Sequence, residues 1–176
     1  YQWCIAAVPG KAWARKVFPG LSDDEAVEKL WEAILYTSRV DDDPVAAWEK
    51  HNKKLAERCA FLNSHKFEYL EYKSSNGTDF KVGLIDKGIF AGGGETTLGK
   101  GIYFNPNIPS EEVFTSPMRG RAEGRVVATK PLSYQGKLIE NFWVEFRDGK
   151  VVKTHAEKNG ELLEQMVNMD EGAAYL

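Results

Sequence analysis

The segment Asn105-Pro106-Asn107-Ile108-Pro109-Ser110-Glu111-Glu112-Val113-Phe114-Thr115-Ser116-Pro117 constrains this chain more than any other. Its three prolines exclude a continuous helix and remove backbone donors, so the segment reads as stiff and extended. Extended backbone sends successive side chains to opposite faces. Glu111 and Glu112 therefore cannot both face inward. The alternation puts Glu112 on the inward side with Phe114, which wants burial. A carboxylate beside buried aromatic surface needs a partner, because an unpaired buried charge is costly. A divalent cation is one such partner, since hard cations favour carboxylate oxygen. A solvated Glu-Glu pair on a loop is the ordinary alternative, as glutamate is rarely buried unless paired.

The remaining composition bounds the setting. With 176 residues, 43% of them hydrophobic, the chain can build one sizeable core or parts of two domains. A net charge of -3 supplies no basic field, so nucleic acid is not an expected partner. Cys4 and Cys59 stand far apart, outside any C-x-x-C pair, and read as buried, reduced thiols of a cytoplasmic protein. No signal peptide opens the chain and no apolar run approaches spanning length, so no membrane partner is expected. The chain opens at Tyr1 without Met and stops at Leu176 in what reads as a starting helix, so a segment of a longer protein is expected.

In chain order, the apolar run 3–8 closes at Pro9-Gly10 and suits a strand buried on both faces of a parallel sheet. Its strand neighbours are expected from residues before Tyr1. Ser22 and Glu25 form a capping box for a helix whose stripe is Val27, Leu30, Trp31, Ile34 and Leu35. Asp43-Pro44 opens a second helix with an apolar face at Val45, Trp48, Leu55, Cys59 and Leu62. His51 and Asn52 break that face, and His51 reads as a boundary histidine making a hydrogen bond rather than as a ligand.

After His65 the pattern changes to hairpins. Strands are expected at 67–73 and 80–85 around Asn76-Gly77, then at 125–130, 138–147 and 150–154, with turns at Gln135-Gly136 and Asp148-Gly149. A helix at about 161–169 follows. The fold class is therefore α/β plus α+β. Residues 1–65 close an open α/β N-terminal domain, and residues 66–176 begin a largely antiparallel β domain.

Two motifs fail on inspection. Gly94-Glu95-Thr96-Thr97-Leu98-Gly99-Lys100-Gly101 nearly matches a phosphate-binding loop, but Gly101 stands where Ser or Thr should hold magnesium. Ile102-Tyr103-Phe104 then leads into prolines rather than a helix, so the glycines read as a flexible loop at the mouth of a site. The three histidines have no H-x-x-x-H spacing, and His155 reads as a surface residue. Arg119, Arg121 and Arg125 are either a solvated basic turn or partners of Glu111 or of substrate.

The string Asn-x-Pro-Ser-Glu-Glu-Val-Phe-Thr-Ser-Pro, ending at Pro117, resembles the first metal-binding segment of the M29-type thermophilic metallo-aminopeptidases, the aminopeptidase T and S group. Asp43-Pro44, Trp48, His51-Asn52, Gly77-Thr78-Asp79-Phe80, Gly120 to Gly124 and the closing Asp170-Glu171-Gly172 extend the similarity over nearly the whole chain. The resemblance implies that Glu112 is a metal ligand and that residues 66–176 begin the catalytic domain. It implies two divalent ions per active site, zinc or cobalt, with the other ligands beyond this sequence. Such ions polarise a scissile carbonyl and make hydroxide from water near neutral pH. It further implies a homodimer acting on peptides with a free amino terminus. The 176 residues alone, with one ligand, are expected to be inactive. The rival reading is a non-catalytic folded or dimerisation module.

Overall fold

The computed structural model describes all residues from Tyr1 to Leu176. In chain order the elements are β1 Ile5–Ala6, α1 Lys11–Val17, α2 Asp23–Thr37, α3 Pro44–Asn63, β2 Tyr69–Lys73 and β3 Asp79–Leu84. There follow β4 Ala91–Gly92, β5 Glu95–Thr96, β6 Tyr103–Phe104, β7 Asn107–Ile108 and β8 Val113–Phe114. The chain ends with β9 Pro117–Val127, β10 Leu132–Tyr134, β11 Lys137–Arg147, β12 Lys150–Lys158 and α4 Gly160–Val167. It is a mixed α/β chain with four helices and mostly antiparallel pairing.

Two compact units form. The first joins Tyr1–His65 with Phe90–Phe114, and the second joins Lys66–Ile89 with Thr115–Leu176. A break thus falls after His65, but residues 90–114, expected with the second part, pack with the first. The cause is visible at the end of α3. The Asn63 side-chain amide donates to the Phe90 carbonyl at 2.9 Å and accepts from its N–H at 2.8 Å.

In the first unit, α2 begins at the expected capping box: the Ser22 hydroxyl accepts from the Glu25 amide while the Glu25 carboxylate accepts from the Ser22 amide. Its face of Ala26, Leu30 and Ile34 buries against Ala14 of α1. Asp43 caps α3 and Pro44 stands at its first turn. Leu55, 1% exposed, lies under the glycine-rich stretch, where a Cβ on Gly93 would come within 3.5 Å of it. The run around β1 differs from its reading. β1 is parallel, but its partner is β7 from this same chain, and Ile5 and Val8 are 64% and 70% exposed. Cys4 is exposed and Cys59 only half-buried, so neither is the buried thiol expected. The glycine-rich stretch is not an open loop: β5 pairs with β6, and Thr97 N–H bonds to the Ile102 carbonyl at 2.9 Å. A Cβ on Gly94 would lie 2.2 Å from the Tyr103 ring and 2.8 Å from the Phe104 carbonyl oxygen, so a side chain there would force a shift.

In the second unit the order β10-β11-β9-β3-β2 makes a sheet, with β12 also on β11. The hairpins close where the sequence places them. Asn76-Gly77 lies between β2 and β3, and Gln135-Gly136 and Asp148-Gly149 make two-residue turns with both residues at positive φ. β9 starts eight residues before the expected strand, at Pro117 rather than Arg125. Phe80, Val82 and Ala122 form one core, joined by Leu70, Phe146 and Leu176. Leu162 and Leu163 of α4 cover Ile139 in the other. The C-terminal residues do not start a helix: Tyr175 bridges to Lys150, and Asp170 accepts from the amides of Gly172 and Ala173.

Candidate functional site

The proline-bounded segment runs along the first unit from β6 through β7 to β8. Its start is pinned by Asn52 on α3 and Asn105, whose amides exchange hydrogen bonds at 3.0 and 2.9 Å. Next, Ile5 N–H bonds to the Pro106 carbonyl at 2.8 Å. The Ile108–Pro109 peptide is cis. His51 Nε2 lies 2.6 Å from the Ser110 carbonyl. A carbonyl oxygen can only accept, so Nε2 carries the proton. The expectation of a hydrogen-bonded boundary histidine therefore holds.

Glu111 is held by Arg39, whose two terminal nitrogens donate one to each carboxylate oxygen, the Nη2–Oε2 distance being 2.8 Å. This forked pairing is among the strong ionic hydrogen bonds. His51 Nε2 stands a further 3.8 Å from Oε2. The Arg39 hydrogen bonds hold the Glu111 carboxyl below its ordinary range; burial opposes them, and the charges of Arg39 and His51 add to them. The guanidinium is correspondingly raised, first by the same bonds. Trp48 braces the group. Its indole N–H donates to the Ser38 carbonyl at 2.7 Å, its ring meets His51 edge-on at 5.5 Å, and Arg39 lies 5.8 Å from its centroid.

Glu112 is exposed, and its carboxylate makes no hydrogen bond or ion pair. The alternation expected in this stretch does not separate the two glutamates, since Glu111 and Glu112 are both exposed. Val113 is half-buried and pairs with Gly92, while Glu112 and Phe114 stand out, Phe114 at 54% exposure. The reason is that α3 packs on β4 and β8 and covers the Val113 side. The burial argument for Glu112 therefore falls; what distinguishes it from Glu111 is that its carboxylate has no partner. Glu112 lines an open groove of about 630 Å³ with Ile5, Ala6, Ala7 and residues 107–111. Glu111 and Arg39 line another of about 700 Å³ with Tyr36, Thr37, Val40, Asp41 and Pro109.

The three arginines weighed as partners of Glu111 are engaged in the second unit. Arg125 donates to Glu145 at 2.8 Å and stacks over Trp143 at 4.1 Å, Arg119 lies over Tyr175 at 4.8 Å, and Arg121 packs beside Gly83. The partner that Glu111 does have, Arg39, lies 72 residues away with no local motif to mark it. His155 is exposed and stacks on Trp143.

The chemistry of this stretch suits a cation at one point only. An exposed, unpaired carboxylate such as Glu112 can give an oxygen to a hard divalent ion. No three His, Cys, Asp or Glu side chains converge among these residues.

The sequence matches the family described as thermophilic metalloprotease (M29) over residues 1–176. The chain belongs to that family. It is 46% identical over 176 residues to aminopeptidase T of Thermus aquaticus, covering 99% of this chain and 43% of that protein. Aminopeptidase 2 of Geobacillus stearothermophilus is 45% identical over 175 residues, with 99% and 42% covered. The solved structure of wild-type AmpT from Thermus thermophilus superposes with a TM-score of 0.86 at 45% identity, covering 96% of this chain and 41% of that one. The chain thus spans about two-fifths of the length of the curated relatives it matches. No helix is long and apolar enough to cross a membrane.

Proposed function

We propose that these residues are part of a metal-dependent aminopeptidase that releases amino-terminal residues from peptides, and that Glu112 gives a carboxylate oxygen to one of its two divalent ions, zinc or cobalt. The remaining donors lie outside these 176 residues. When bound, such ions supply Lewis acidity toward a carbonyl. In this reading, residues 1–65 finish an open α/β domain and the chain from residue 66 begins the catalytic one, with residues 90–114 reaching back to the first unit. The protein works in the cytoplasm as a homodimer, a reading supported by apolar side chains such as Ile5 and Val8 left exposed.

The observation that carries the reading is the family match across all 176 residues, with a Glu-Glu pair in which only one carboxylate is free. Glu111 has both oxygens occupied by Arg39; Glu112 has neither. Family membership favours this reading over a non-catalytic module. The test uses the full-length protein and an amino-acid anilide. Glu112→Ala is expected to cut turnover by at least about a hundredfold, and Glu111→Ala by roughly tenfold. Wild-type turnover in Glu112→Ala would defeat the assignment.

A further inference from the structure

Arg39 stands where an arginine is not expected. It is the residue just past the C-cap of α2, in left-handed backbone at φ 57°, a position that favours glycine and strains other side chains. The bonds that finish the helix involve only backbone: Arg39 N–H donates to the Tyr36 carbonyl and Val40 N–H to the Leu35 carbonyl. Glycine would serve them equally well. What arginine adds is a guanidinium that grips both oxygens of Glu111. The adjoining carbonyl, that of Ser110, is held by His51, which is itself only 11% exposed. Thus Ser110 and Glu111 are fixed by side chains from outside the segment, and the next residue, Glu112, is left free.

We propose that Arg39 is a positioning residue for Glu112. By clamping Glu111 in a forked pair, with His51 holding the Ser110 carbonyl, it sets the rotation of the backbone and so the direction in which the Glu112 carboxylate leaves it. This rests on the reading of Glu112 as a metal ligand. Two constraints on consecutive residues limit the rotation of the backbone into the residue that follows. The clamp also occupies both Glu111 oxygens, which stops that carboxylate from competing for the cation. A lysine would match the charge but not the planar fork.

The test uses the full-length protein with Arg39→Met, Arg39→Lys, Glu111→Gln, the Arg39→Met/Glu111→Gln double variant and Glu112→Ala. The readouts are kcat and KM on an amino-acid anilide, calorimetric titration of the metal-free protein with Zn²⁺, and the melting curve. Arg39→Met is expected to lower kcat by about ten- to a hundredfold with KM within about twofold, because a ligand misplaced by an ångström costs turnover rather than substrate binding. Zn²⁺ affinity should weaken by about tenfold. Arg39→Lys should recover part of each loss, and the double variant should be no worse than the poorer single one. Should methionine prevent folding, Arg39→Lys and Glu111→Gln carry the same test. Wild-type kcat and Zn²⁺ affinity in a folded Arg39 variant, or losses that multiply in the double variant, would overturn the proposal. The two readings separate cleanly. An inactive Glu112→Ala beside a wild-type Arg39→Met removes only the positioning role; a fully active Glu112→Ala removes both.

Discussion

The two units keep their strands in place by different means. In the first, every β pairing is two residues long, and the chain between pairings is tied down by side chains: Asn52 to Asn105, His51 to Ser110, Arg39 to Glu111 and Asn63 to Phe90. In the second, strands reach 11 residues and are aligned by backbone ladders and tight turns. A two-residue pairing has too few backbone bonds to fix its own register. Side chains must therefore set the geometry, and each can be altered singly. The segment that displays Glu112 belongs to this adjustable kind.

The contrast can be broken most severely at Gly124. It pairs with Phe80 across β3 and β9 at φ +95°, and a Cβ there would lie 2.1 Å from the Asp79 carbonyl oxygen. If backbone registry is what holds the second unit, Gly124→Ala is expected to cost about 3 kcal/mol in urea unfolding. A loss under about 1 kcal/mol would show that the ladder yields easily and does not hold the unit by its registry. The counterpart in the first unit is Asn52→Ala. It leaves a half-buried Asn105 amide without its two bonds and is expected to cost about 2 kcal/mol. Hydrogen exchange should speed up around residues 103–108 and stay unchanged in β9 and β11. Exchange rising equally in both units would erase the distinction.

Acid gives the smallest and most local comparison. Glu25 in the first unit is held below its ordinary value of 4.5 by the Ser22 hydroxyl and then the Ser22 amide, with burial opposing. Glu145 in the second is lowered mainly by its hydrogen bond to Arg125. A carboxyl with a lowered folded pKa stabilises the fold above its unfolded pKa, and that contribution is lost as pH falls through the folded value. Ser22→Ala should therefore flatten the acid-side loss of protection at the start of α2 alone, and Arg125→Met that at β9 and β11 alone. Exchange measured between about pH 3 and pH 6 checks this. A variant that alters the other unit's acid response would refute the assignment of these groups.

What could be read in the sequence divides along similar lines. The start of α2, the Asp43-Pro44 opening of α3 and the turns at Asn76-Gly77, Gln135-Gly136 and Asp148-Gly149 are each written within a few adjacent residues, and the structure follows them. Contacts between distant residues were not legible. Gly120 and Gly124 look like turn residues, yet both lie within β9, where Gly124 is needed for close approach to β3. The apolar run at β1 promised burial, but its neighbour is the proline-rich β7 and its surface stays open. At the candidate site a proline-bounded pair of carboxylates was readable, but both are exposed and line one groove. Which face turns inward was not readable, because that depends on α3, some fifty residues earlier in the chain. Arg39 gave no signal at all, although an arginine directly after a helix without a following glycine is a place to look.

β3 and β9 are antiparallel neighbours, with Leu84 opposite Pro117. Seen from the sheet, everything in residues 85–116 is therefore one hairpin connection. The entropy of closing a connection grows only with the logarithm of its length. As far as loop closure is concerned, the pairing of β3 with β9 is nearly indifferent to the length of that stretch. The sheet thus makes no demand on the sequence of the carboxylate-bearing segment, whose constraints come instead from Arg39, His51 and Asn52.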